Sequence, residues 1–172
     1  MKKLLSIAII ILVQCSISCE SDTLEYHSEF TLSHRAWENF KETNNNSYRY
    51  TVIQSSWVGF STKTTITVES GTIMERSFLY TSTEGLSSEI PEDELAWTET
   101  NDEIGIHASG AEPLTLDNIY ERAETDWLLD RPSATSYFET MDNGIISICG
   151  YVEKNCVDDC FIGIHIESID PL

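Results

Sequence analysis

Apolar and polar positions change period several times along this chain, and the changes divide it into elements. Between Ser33 and Lys41, Ala36, Trp37 and Phe40 fall at helical spacing, and Ser33 is placed to cap the helix start. Asn44-Asn45-Asn46 ends that pattern. From Tyr48 to Ile53 the residues become aromatic and β-branched, which suits a strand. Gly59 marks a turn beside Phe60. Ile66 and Val68 then alternate with polar neighbours, and Ser70-Gly71 turns the chain into a third strand, Thr72 to Tyr80. Thr115 caps a second helix from Leu116 to about Leu129, with Leu116, Ile119, Tyr120, Ala123 and Trp127 as its apolar stripe and Pro132 barring continuation. Three further strands follow: Ala134 to Thr140, Ile145 to Tyr151 after an Asn143-Gly144 hairpin turn, and Phe161 to Ile169. In the last, Ile162, Ile164 and Ile166 alternate with Gly163, His165 and Glu167, one face core and one wet. The order α-βββ-α-βββ predicts an α+β fold, an antiparallel sheet with two helices packed on one face.

Residues 81–112 break this regularity. They hold nine acidic residues, and no Lys or Arg occurs between Arg76 and Arg122. The stretch from Pro91 to Trp97 predicts a short helix and Asp102 to His107 a short strand, so this acidic insertion is expected to be partly ordered or functional.

The front of the chain carries an address. Lys2 and Lys3 precede an apolar run from Leu4 to Val13, followed by small residues Ser16 and Ser18 and then Cys19. The run is shorter than the roughly 20 residues a spanning helix needs. Residues 1–18 are therefore expected to be a signal peptide and Cys19 a lipid-bearing N-terminus, with residues 19–32 as tether and 33–172 as a single domain. Ser16 stands where a lipoprotein leader usually has Leu, and an ordinary signal peptidase would cut the same bond to give a secreted protein. Two or more acyl tails on Cys19 would anchor the chain to the membrane, each buried CH₂ contributing ~0.8 kcal/mol. By resemblance to enterobacterial sorting, Glu20 rather than Asp after the cysteine fits the outer membrane.

Charge narrows the partners. The full chain carries −19, and removing Lys2 and Lys3 with the leader leaves 8 Lys+Arg against 29 Asp+Glu, or −21. Such a field repels nucleic acid and anionic lipid headgroups and attracts basic partners or divalent cations. In an oxidising compartment Cys156 and Cys160, bracketing a loop, are the first choice for a disulfide, with Cys149 to either of them as the alternative.

Several pieces together resemble a family of bacterial exported proteins of unknown function, frequently lipoprotein-anchored. These are the helical Trp37, the strand Ser47-Tyr48-Arg49-Tyr50-Thr51-Val52 and the hairpin Ile66 to Ile73. Thr115 to Tyr120, Asn143-Gly144 with Ile145 to Ile148, and Asp158-Asp159 before the final strand complete the set. The resemblance implies fold and location but no activity. Ser55-Ser56-Trp57 stands where members of that family often have Cys-x-Cys.

Candidate chemistry is sparse. Cys149, Cys156, Cys160 and His165 lie within 17 residues, a donor set suited to zinc or to a thiol nucleophile. Glu92-Asp93-Glu94 lacks the spacing of a calcium loop and reads as a solvated face. No phosphate loop, Gly-x-Ser-x-Gly or His-Glu-x-x-His occurs, so no cofactor, metal or catalytic residue is assigned. Trp57, Phe60 and Trp97, near loops, are candidate partner contacts. The expectation is a non-enzymatic envelope lipoprotein that binds a protein or envelope component. A metal- or thiol-dependent envelope enzyme built on the Cys/His group is the alternative.

Overall fold

A seven-stranded antiparallel sheet carries two helices on one face in the computed structural model, which describes residues 24–87, 90–158 and 160–172. Helix α1 spans His27–Thr43. Strands β1 (Tyr48–Ser55), β2 (Ser61–Glu69), β3 (Thr72–Ser82) and β4 (Ala96–Thr100) form one meander. Helix α2 (Leu116–Arg122) continues into a π turn, Ala123–Trp127. Strands β5 (Ala134–Thr140), β6 (Ile146–Glu153) and β7 (Phe161–Pro171) form a second meander. The order across the sheet is β4-β3-β2-β1-β7-β6-β5. The first strand of one meander thus pairs with the last strand of the other, and this single seam joins the two halves.

The core follows from alternation. Tyr48, Tyr50 and Val52 of β1 are buried beside Val68, Ile66 and Thr64 of β2, and Ile166 and Ile169 of β7 extend the same face. From α1, Phe30, Ser33 and Trp37 point inward at i, i+3 and i+7. Trp37 is fully buried, its ring edge-on to Tyr48 at 5.2 Å, and truncating it to Ala would cost about 3–5 kcal/mol. The two tyrosines of the Tyr48-Arg49-Tyr50 strand also fix α2. The Leu116 N–H donates to Tyr48 Oη at 2.8 Å, and Tyr50 Oη donates to the Leu114 carbonyl at 2.5 Å. Thr115 caps α2 through a capping box with Asn118, as its position predicts.

Five expectations are corrected. Helix α1 begins at His27, and Leu24 bridges to Leu129, so residues 24–32 belong to the domain and not to a tether. The polar triplet His27-Ser28-Glu29 hides this start, and Phe30 anchors it against Tyr120 and Phe138 at 5.9 and 6.3 Å. Ser33 consequently sits inside α1, where its hydroxyl meets Tyr120 Oη at 2.7 Å and does not cap. In the acidic stretch the helix shrinks to a 3₁₀ turn, Glu92–Glu94. A fourth strand of the first meander follows it at Ala96–Thr100, while Asp102 and Glu103, expected to begin a strand running to His107, lie in another 3₁₀ turn, Asn101–Glu103. The second helix changes to π hydrogen bonding at Ala123, which turns Ala123, Trp127 and Leu128 into the core. The leader, Cys19 and the first part of the expected tether lie outside the described residues.

Candidate functional site

Between β1 and β7 the sheet splits. The two strands pair from Tyr48↔Pro171 to Val52↔Ile166, and a bulge at Thr51/Val52 leaves Glu167 without an opposite residue. Bulges bend a strand and sharpen its twist. Past that point Ile53–Ser55 keep only β2 as a neighbour, and Phe161–His165 keep only β6. Each strand therefore presents one backbone edge to the gap.

The gap opens into a cleft of about 850 Å³ that continues over the outer face of the second meander. Ile53, Phe60, Tyr137, Ile148, Val152 and Phe161 give it apolar walls. Gly150 and Gly163 face each other in the β6–β7 register, and both are held to glycine by space. A Cβ on Gly163, whose φ is 153°, would sit 2.2 Å from the Cys149 carbonyl oxygen. One on Gly150 would sit 2.3 Å from the Ile162 carbonyl oxygen and 2.6 Å from the Phe161 ring. With no side chain at Gly150, Tyr137 and Phe161 approach edge to face, ring centroids 6.4 Å apart, across the cleft floor.

The inner end of the cleft is closed by the acidic segment, Gly110–Glu112 and Leu114, with Arg122 and Trp127. The two arginines that bound the base-free stretch both hold it. Arg122 donates from Nη1 and Nη2 to the two Glu112 carboxylate oxygens, each at 2.6 Å, and this holds the Glu112 carboxyl below its usual range. Arg76 is the deeper grip. Its Nη1–H donates to both Glu99 oxygens at 3.2 and 3.0 Å. Its Nε–H, Nη1–H and Nη2–H reach the carbonyls of Ala111, His107 and Ser109 at 2.8, 3.2 and 2.7 Å. Its guanidinium also lies 4.7 Å from the centre of the Trp97 ring.

Glu99 is 1% exposed and Arg76 2%. Burial alone would raise the Glu99 carboxyl. The Gly105 and His107 backbone N–H groups, the His107 ring and Arg76 outweigh burial and bring it down to about 2. A buried charge is tolerated here because each oxygen accepts several hydrogen bonds. The result is a loop folded over the inner face of β2–β4, the part of the sheet the helices do not cover. Ala111 N–H donating to Thr64 Oγ1 at 2.9 Å fixes it further.

The sequence-predicted site residues separate under this geometry. Phe60 lines the cleft, and Trp57, in the same β1–β2 turn, is 72% exposed. Trp97, expected as a surface contact, is 9% exposed: it stacks on His107 at 4.2 Å and on Phe78 at 5.2 Å, because β4 places it on the inward face. Cys156 and Cys160 form a disulfide with Cα atoms 6.1 Å apart, and Cys149 is a buried free thiol, pushed up to about 12 by burial.

Two of the four residues considered for zinc or nucleophilic chemistry are thus bonded to each other. Cys149 points into the core opposite Ile164, whereas His165 is on the outer face. No group of three or more His, Cys, Asp or Glu side chains suited to a metal ion occurs among the described residues. Sequence reasoning missed Arg76, Glu99, Tyr137 and Phe161. The first two carried a readable signal, since each is a charged residue in phase with the inward aromatic two positions away, Phe78 or Trp97. No helix among the described residues is long and apolar enough to cross a membrane. This chain matches no known protein family, no characterised protein and no solved structure.

Proposed function

We propose that this chain is an exported, lipid-anchored domain of the cell envelope that binds a protein or other envelope component and performs no turnover. The cleft between β1 and β7 carries the reading. Its walls are aromatic and aliphatic, two strand edges frame it, and a clamped loop holds its inner end in shape. Concave, mostly apolar surfaces with a few polar groups are the usual setting for ligand binding. Localisation rests on the leader pattern ending at Cys19 and on the resemblance to exported proteins.

Two measurements test it. The intact mass of protein extracted from membranes is expected to show Cys19 as N-terminus with its acyl groups and one internal disulfide. A soluble intracellular chain retaining Met1 would contradict this. For binding, Phe161→Ala and Tyr137→Ala are expected to weaken association with envelope components by about tenfold or more while leaving the fold intact. Association unchanged by both would place the contact elsewhere.

A further inference from the structure

The seam between the meanders offers more than an apolar pocket, because its two sides are strand edges. Beyond the Val52↔Ile166 pair, three residues of β1 and five of β7 have a neighbour on one side only. An unpaired edge carries a row of backbone donors and acceptors at a rise of about 3.3 Å per residue, a template for another strand. Edges at the rim of a sheet are commonly blunted by charge or proline. These carry Ile53-Gln54-Ser55 and Phe161-Ile162-Gly163, with neither.

We infer that the cleft takes an extended, basic polypeptide segment of a partner protein by β-strand addition to the β7 edge at Phe161–His165. Its alternate apolar side chains rest on Phe161, Tyr137 and Ile148. The inference rests on the binding reading above and names the class of partner. Three observations select this occupant. Backbone groups on the edge need a ligand with backbone groups of its own, which lipids and sugars lack. The glycine pair lets the Phe161 ring lie over the floor beside β7 next to Tyr137, an apolar shelf on which alternate side chains of an added strand can rest.

Charge selects the sign. Within the cleft Arg122 is already neutralised by Glu112, whereas Glu139 has no ion-pair partner among the described residues. The chain as a whole carries −19. A segment with Lys or Arg on its solvent-facing positions meets this field favourably, and an acidic one does not. Because β1 and β7 are antiparallel, a strand seated between them runs antiparallel to one edge and parallel to the other.

The test uses the mature chain and a fluorescein-labelled acetyl-Lys-Val-Lys-Val-Lys-Val-amide. Two further versions are N-methylated, one on the odd and one on the even amides, and the fourth peptide has Glu in place of Lys. Strand addition to one edge uses one alternate set of amides. At least one methylated peptide is therefore expected to bind about tenfold or more weaker than the parent, and the Glu peptide weaker still. Amide resonances of residues 161–165 are expected to shift with the parent peptide. Equal binding of the parent and both methylated forms would overturn strand addition while leaving a side-chain pocket standing. Failure of every peptide to bind, or shifts confined to residues away from the seam, would also overturn it. The membrane-extracted mass tests the envelope reading independently of either outcome.

Discussion

Arg76 and Glu99 face each other across β3 and β4, side chains all but fully buried, with Nη1 3.0 Å from Oε2. Around this pair the chain assembles a cover for the half of the sheet the helices leave bare. Three hydrogen-bonding contacts run outward from each partner into residues 105–111, so one ion pair fixes strand register and loop position together. The loop it holds forms the inner end of the cleft.

Removing one member of this pair strands the other. Arg76→Met is expected to cost about 3–5 kcal/mol in urea unfolding, because Glu99 is left buried and uncompensated. Combining it with Glu99→Gln is expected to cost less than the two single changes added together. Strict additivity would mean that the two side chains act separately.

Acid should separate the same group from the other carboxylates. Glu99 titrates near 2 in the folded chain against an ordinary 4.5, so the unfolded state takes up its proton first as pH falls. The stability this carboxylate supplies is complete above about 4.5 and is lost as pH drops towards 2, on the order of 3 kcal/mol. Protonation of the other acids relieves self-repulsion and works in the opposite direction. The comparison is therefore with Glu99→Gln: the stability gap between wild type and variant is expected to shrink between pH 4.5 and 2. A gap that stays constant would contradict the assignment.

The glycine pair gives a conformational test. Gly163→Ala forces a Cβ onto the Cys149 carbonyl at a φ of 153°, and a loss of about 1–3 kcal/mol is expected, with β6–β7 amides losing protection. A neutral substitution would mean that the two strands are not packed as closely as described.

Cysteine counting checks the second meander. In the chain starting at Glu20, no thiol is expected to react with a neutral disulfide reagent while folded, since Cys149 is buried with its thiol pushed up to about 12. One thiol should react after unfolding without reductant and three after reduction. Two or more reactive thiols before reduction would exclude the Cys156–Cys160 bond.

Much of this architecture is legible in the sequence, and the illegible parts share a cause. Period-2 runs such as Ile162, Ile164 and Ile166 declare a strand and its inward face, and the Thr115 cap declares where α2 starts. Alternation does not declare which strand lies alongside. Both β1 and β7 read as continuous, so their partial pairing, and with it the cleft, is invisible until neighbours are known. The acidic stretch misleads differently: Glu99 and Asp102 look alike in composition, yet burial against Arg76 puts one in a strand and leaves the other in an exposed turn. Phe60 is recoverable as a residue of the cleft wall because a turn marks it, while Trp97 resembles it only by lying near charged neighbours.

The splitting of the seam is the claim on which the binding account stands, and amide hydrogen exchange of the mature chain tests it most directly. Residues 48–52, flanked by β2 on one side and β7 on the other, are expected to be protected throughout, while residues 53–55 and 161–165 include amides that exchange rapidly from the edges facing the cleft. Uniform protection along the full length of both strands would show a closed sheet and contradict the account.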